Sequence, residues 1–279
     1  MKLPKQPSVI ITGASTGIGR GLALSLANIY KARMVLTARS ETALLDLQEE
    51  VKKRGGEAVV IAGDITSAAI SESLVETAVN QFGKLNIIVN NAGMGIGGSF
   101  SKLTEEDWRR VFEVNFFSAL KLTQKALPHL KSQDHSKIIN ISSVAGKIAI
   151  PGSVSYCASK FALTALSEGL AAELAGDNID VITVCPGWVR TEFFEKNKLP
   201  DERNPTVIAQ KNDLTGLMMK HLLSISTEEC VKEIIEAMDK GGSQEIILTL
   251  PGKVAERLHG VAPGIMRFLA KQIKPTYRD

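Results

Sequence analysis

Tyr156 and Lys160 stand four positions apart in the run Tyr156-Cys157-Ala158-Ser159-Lys160, and a helix would carry both side chains on one face. A phenol and an ammonium held together form an acid/base pair. An ammonium about 4 Å from a phenolate, at an effective dielectric of about 20, favours the ionised phenol by ~4 kcal/mol, or ~3 pKa units before desolvation is subtracted. A tyrosine that starts at about 10 is then expected to titrate around neutrality, where general acid/base catalysis works best. Ser143, thirteen residues before the tyrosine, adds a hydroxyl able to steady a substrate oxygen. It falls just past a predicted strand, at the carboxyl edge where α/β sheets bind ligands.

A second constellation is glycine-rich. Thr12-Gly13-Ala14-Ser15-Thr16-Gly17-Ile18-Gly19 joins an apolar run, Val9–Thr12, to a stretch of helical period. Such a turn binds phosphate, because its glycines let the backbone approach closely while free N–H groups and the positive helix end face the charge. Twenty residues beyond Gly19, where a dinucleotide-binding fold meets the adenosine ribose, stand Arg39 and Ser40. A carboxylate there favours NAD. A guanidinium and a hydroxyl suit a 2′-phosphate, so the expected cofactor is NADP(H).

These groups need a scaffold that brings strand ends together, and the alternation of the chain predicts one. Short β-rich runs at Val9–Thr12, Arg33–Ala38, Ala58–Ala62, Leu85–Asn90, Lys137–Ser142, Asp180–Cys185 and Glu245–Leu250 exchange with amphipathic stretches. The latter are Gly17–Tyr30, Glu41–Arg54, Ser71–Phe82, Glu105–Leu130, Val154–Leu174 and Thr227–Asp239. Repeated βαβ units predict an α/β fold: a Rossmann-type, doubly wound parallel sheet of seven strands with helices on both faces. No linker or internal repeat divides the 279 residues, so one domain is expected, with a core over about 8–250. Residues 191–226 break the alternation and read as a lid over the substrate site. Residues 251–279 form a C-terminal extension.

The glycine spacing Gly-x-x-x-Gly-x-Gly, the quartet Asn90-Asn91-Ala92-Gly93 and the set Ser143, Tyr156 and Lys160 together resemble the short-chain dehydrogenase/reductase superfamily, from about Ser8 to Leu250. The resemblance implies a nicotinamide dinucleotide lying over Gly13, Ser15, Thr16, Gly17, Ile18 and Gly19. It implies that Asp64 and Ile65 meet the adenine, and that Asn91, Ala92 and Gly93 pass beside a ribose. Pro186, Gly187, Val189 and Thr191 correspond to the nicotinamide loop, with the Val189 backbone holding the carboxamide and Thr191 near the pyrophosphate. Ser143, Tyr156 and Lys160 then make up the catalytic group, with the lysine also holding the ribose, and Asn115 takes part in a proton relay through water. The expected reaction is hydride transfer between nicotinamide and a carbonyl or secondary alcohol. A rival reading keeps the fold as a catalytically silent dinucleotide sensor or scaffold; a dehydratase or epimerase is a further possibility within the superfamily.

Composition narrows the rest. A hydrophobic fraction of 44% and a charged fraction of 23% suit a globular protein, and a formal charge of +3 is too weak to argue for nucleic acid. Three widely spaced cysteines suggest a reducing compartment, Met1–Ser8 is no secretory signal, and no apolar run is long enough to span a bilayer. A soluble, cytoplasmic protein is expected. The four histidines lack ligand spacing, so no metal is expected. Met94, Ile96, Phe100, Val144, Ile148, Ile150, Trp188, Phe193 and Phe194 suggest an apolar substrate such as a steroid, retinoid or lipid-derived ketone. The apolar side of 254–273 fits a neighbouring subunit better than a membrane surface, and the resemblance implies pairing through the long helices Glu105–Leu130 and Val154–Leu174, as a homodimer or homotetramer.

Overall fold

In the computed structural model, residues 4–189 and 224–264 are described. The strands are β1 (Ser8–Thr12), β2 (Arg33–Ala38), β3 (Glu57–Ala62), β4 (Ile87–Asn90), β5 (Ser136–Ile141), β6 (Ile179–Cys185), β7 (Trp188–Val189), β8 (Ser224–Ile225) and β9 (Gln244–Ile247). The helices are α1 (Gly17–Tyr30), α2 (Glu41–Lys53), α3 (Ala68–Phe82), α4 (Glu105–Phe112), α5 (Ser118–Lys131), α6 (Val154–Glu173), α7 (Thr227–Lys240) and α8 (Leu250–Val261). Seven strands form one sheet in the order β3-β2-β1-β4-β5-β6-β9, every neighbouring pair parallel. The order reverses between β1 and β4, which opens a crevice at the carboxyl edge.

The central strands are apolar on both faces because both faces are covered. Ile11, Leu36, Val89 and Val184 pack toward α1, α2 and α7, whereas Ile10, Val35, Ile88 and Ile138 pack toward α3 and α5. This is the Rossmann-type arrangement the sequence predicts.

Three differences matter. The last strand ends at Ile247, not at Leu250, because the Thr249 hydroxyl accepts the Gly252 N–H and starts α8, with Pro251 in its first turn. The expected helix over Glu105–Leu130 is divided by a π-turn at Glu113–Phe117, the segment that carries Asn115. β7 and β8 pair as a separate two-stranded ribbon, with Trp188 beside Ser224 and Val189 beside Ile225. Residues 224–226 of the expected lid therefore belong to this ribbon and to the Ser226 cap of α7, while the rest of the lid, with Thr191, Phe193 and Phe194, lies outside the described residues. In α8, Val254 is 56% and Val261 88% exposed, and the extension past 264 lies outside the described residues. Among the described residues no helix is long and apolar enough to cross a membrane, and no cluster of His, Cys, Asp and Glu could hold a metal. Cys157, Cys185 and Cys230 are free and buried.

Candidate active site

A cleft of ≈ 700 Å³ runs along the carboxyl edge from the β2 end to the β6 end. At its centre β1 turns into α1 through Gly13, whose φ of +62° suits glycine; a Cβ there would come 2.9 Å from the Ala92 Cα. Gly19 does not line the cleft. It lies in the first turn of α1, where a Cβ would come 2.5 Å from Asn91 Nδ2 and 2.6 Å from the Gly13 carbonyl. The β1 and β4 ends are laced together by Thr12, whose Oγ1 accepts the Asn91 and Ala92 N–H groups at 3.0 Å. In return the Asn91 amide donates to the carbonyls of Thr12 at 2.8 Å and Gly13 at 3.0 Å.

Ser15, Thr16, Gly17 and Ile18 line the cleft beside this turn. Thr16 caps α1 without a side-chain hydrogen bond, and no acidic residue stands in the first turn. The leading amides of α1 are thus open to an anion. Further along, Arg39 and Ser40 end β2 and face the cleft, and Ser40 Oγ also accepts the Ala43 N–H at 3.4 Å. Asp64 and Ile65 form the wall beyond β3. The Asp64 carboxyl is held below its ordinary value first by the N–H of Thr66, against the opposing effect of burial, and then by the Thr66 hydroxyl and the charges of Arg110 and Arg39.

These features fit a dinucleotide. A Cβ-free backbone at the turn and uncapped helix amides suit a pyrophosphate, and one further atom points the same way. The Thr37 hydroxyl, 1% exposed, borders the cleft and has no hydrogen-bond partner. A buried hydroxyl without a partner carries a desolvation cost that a polar ligand removes.

At the other end, β5 carries Ser142 and Ser143 to the cleft, and α6 presents Tyr156 and Lys160 from its first two turns. Ser143 Oγ accepts the Ala145 N–H at 3.1 Å and hydrogen bonds with the Tyr156 side chain. Lys160 is 3% exposed; its Nζ donates to the Ile141 carbonyl at 2.7 Å and lies 5.8 Å from the centre of the Tyr156 ring. Tyrosine, lysine and serine therefore converge.

Their titration differs from the sequence expectation. Loss of hydration pushes the Tyr156 phenol up to about 12, partly offset by its hydrogen bond to Ser143. Burial likewise brings Lys160 down to about 8. The ammonium makes its short hydrogen bond to the Ile141 carbonyl and sits over the ring, so in the free protein desolvation outweighs its pull on the phenol.

Asn115 is 1% exposed and lies behind the cleft wall. Its Oδ1 accepts the Met94 N–H at 2.8 Å, and its Nδ2 donates at 2.8 Å both to the Met94 carbonyl and to Ser159 Oγ. Ser159 donates in turn to the Tyr156 carbonyl at 2.7 Å. Gly93 fills the gap in front: a Cβ there would stand 3.4 Å from Asn115 Oδ1 and 3.6 Å from Lys160 Nζ.

Pro186, Gly187 and Val189 line the cleft after β6, as expected, while Thr191 lies outside the described residues. Among the described members of the expected apolar set, Met94 and Ile96 border it. Sequence reasoning missed Thr37, Arg110 and Val114. Thr37 was signalled as a polar residue in an apolar strand; Arg110 and Val114 share a face of α4 and the turn after it, but spacing alone does not say which face meets the cleft.

Residues 7–202 match the short chain dehydrogenase family. The chain is a short-chain dehydrogenase/reductase. Its relatives include an uncharacterized oxidoreductase of Methylorubrum extorquens, 41% identical over 66% of this chain and 73% of that protein. The 3-oxoacyl-(acyl-carrier-protein) reductase of Staphylococcus aureus is 33% identical over 75% and 84%. Among solved structures, a short-chain dehydrogenase/reductase from Burkholderia phymatum in complex with NAD superposes with a TM-score of 0.82, at 24% identity, over 99% of this chain and 98% of that one. An alcohol dehydrogenase from Thermococcus sibiricus complexed with 5-hydroxy-NADP gives 0.73 at 23% identity, over 88% and 96%. This short-chain dehydrogenase/reductase is accordingly an oxidoreductase built on a nicotinamide-dinucleotide fold.

Proposed function

We propose that this oxidoreductase uses NADP(H) to interconvert a carbonyl and a secondary alcohol, with Tyr156 as the general acid/base. The reading is carried by the buried Lys160 and the phenol of Tyr156 meeting Ser143 on the same cleft as the glycine turn. When bound, the nicotinamide supplies or accepts the hydride. In the reducing direction Tyr156 gives its proton to the substrate oxygen, whose position Ser143 holds. A neutral phenol, pushed up to about 12, is the form that can donate. Lys160 stabilises the phenolate left behind and holds a ribose hydroxyl, and Asn115, one glycine away from the ammonium, organises its proton supply.

The neighbours hold NAD in one case and an NADP analogue in the other, so the fold serves both. Arg39 and Ser40 support NADP(H) here, because neither offers a free ribose 2′-hydroxyl the carboxylate it needs. Asp64 and Ile65 border the adenine, and Val189 the nicotinamide end. Met94 and Ile96 support an apolar substrate of steroid, retinoid or lipid-ketone type. Phe117 on the π-turn and Phe161 on α6 are 38% and 39% exposed, which supports pairing of a homodimer or homotetramer through these segments.

The test follows the absorbance of the reduced nicotinamide with a panel of steroid, retinoid and lipid ketones, using NADPH and NADH in parallel. Turnover with kcat/KM about tenfold or more in favour of NADPH is expected, since one charge-assisted Arg–phosphate hydrogen-bonded pair is worth about that factor. Binding of the cofactor without turnover of any ketone or alcohol would instead make the chain a silent binder.

A further inference from the structure

Arg110 is a cation on the cleft that the reaction as described leaves unused. It projects from the last turn of α4, three residues after Asp107 and four before Val114, and all three border the cleft. Four of the carboxylates near it are otherwise engaged. Glu105 pairs with Arg109 at 2.6 Å, and Glu113 pairs with Lys121 at 3.0 Å. Asp107 Oδ2 accepts both the N–H and the hydroxyl of Thr104 at 2.9 Å, completing the capping box of α4. Asp64 accepts the N–H and hydroxyl of Thr66 at 3.0 and 2.9 Å. Among the described residues, neither Arg110 nor Arg39 makes a hydrogen bond or an ion pair through its guanidinium, Glu106 included as a candidate partner one turn before Arg110.

Both arginines are near enough to Asp64 to act on its carboxyl, Arg110 more strongly than Arg39. Both border the cleft, Arg39 from the turn after β2 and Arg110 from α4, with the Asp64 carboxyl within electrostatic reach of each. The buried, unpartnered hydroxyl of Thr37, two residues before Arg39, borders the same cleft and marks its floor as a seat for polar ligand atoms. Two uncommitted guanidiniums around such a floor form a receptor for a dianion, and planar forks that carry several donors bind phosphate with more geometric selectivity than a lone charge does.

We propose that Arg110 is a second specificity-determining residue, which reaches from α4 to the 2′-phosphate held by Arg39 and so sets the preference for NADP(H) over NAD(H). The inference rests on the NADP(H) reading above and adds to it a residue outside the β2 end. Arg110 is exposed and makes no hydrogen bond or ion pair among the described residues, so its removal leaves the fold intact.

The experiment is a fluorescence titration of the full chain with NADPH and NADH, repeated with 2′,5′-ADP and AMP as competitors, for the wild type, Arg110→Met and Arg110→Lys. Arg110→Met is expected to weaken NADPH and 2′,5′-ADP about tenfold and to leave NADH and AMP within about twofold, with Arg110→Lys in between. If the wild type prefers NADPH but Arg110→Met costs nothing, or costs both cofactors equally, the inference is wrong while the cofactor reading stands. If the wild type shows no preference for NADPH, the cofactor reading fails first and the inference goes with it.

Discussion

At the β1 end the cleft is lined by backbone, and at the β5 end by side chains. The glycine turn works by what it lacks: Gly13 and Gly19 leave room for Ala92 and Asn91 to approach closely, and the free amides of α1 face the space that results. The serine, tyrosine and lysine work by what they carry into a place with little water, and both titratable groups are displaced from their ordinary values as a consequence. One end thus depends on tight packing and tolerates no added atom. The other depends on functional groups whose deletion leaves the packing almost unchanged.

Paired substitutions break this comparison most sharply. Ser143→Ala is expected to lower kcat by about 10²–10³-fold, the usual cost of losing a donor to the reacting oxygen, with dinucleotide affinity and stability near wild type. Gly19→Ala is expected to do the reverse. Its Cβ would meet backbone at 2.6 Å, so it should destabilise by about 1–3 kcal/mol in urea titrations and weaken dinucleotide binding, while any protein that does bind turns over normally. A stability loss for Ser143→Ala larger than that for Gly19→Ala would erase the distinction.

A smaller effect sharpens it through pH. Lys160 titrates at about 8 in the folded protein, below its ordinary 10.5, so the unfolded chain binds that proton more tightly. Stability from this group is complete above 10.5 and is lost as pH falls through 8. Tyr156 runs the opposite way: its value is raised from 10.0 to about 12, so its stability is complete below 10 and is lost as pH rises toward 12. Burial raises Cys185 and Cys230 as well, from 9.0 to about 12, so stability also falls above 9 for reasons outside the site and the two groups are read as differences between variant and wild type. In denaturation of the cofactor-free proteins the wild type should gain on Lys160→Met as pH rises from 8 to 10, and lose ground to Tyr156→Phe above 10. Differences that do not change with pH in either window would mean that the two groups are hydrated.

The same contrast explains what the sequence made legible. Strand β2 and helix α1 fall at the limits their sequence implies, because an apolar run and a helical period are local signals, as is the four-residue spacing of Tyr156 and Lys160. Leu250 reads as strand but is helix, because the apolar run from Ile246 hides a Thr249-Leu250-Pro251 helix start. The titration of Tyr156 departs from expectation because the spacing reports the nearness of a charge, not the Ile141 carbonyl that holds it or the water that burial removes. Arg110 gives no sequence signal because its place at the cleft is set by how α4 packs against α6, a tertiary relation with no trace in local pattern.

Turnover of Tyr156→Phe, measured together with its affinity for NADPH, bears most directly on the claim that a phenol beside a buried ammonium moves the proton in this cleft. The substitution keeps the ring over which Lys160 sits and deletes one oxygen. Turnover is expected to fall by about 10²–10⁴-fold, the range for losing a general acid/base, with NADPH affinity changed by no more than about twofold. Near-normal turnover with intact NADPH binding would contradict the account and transfer the proton to another group.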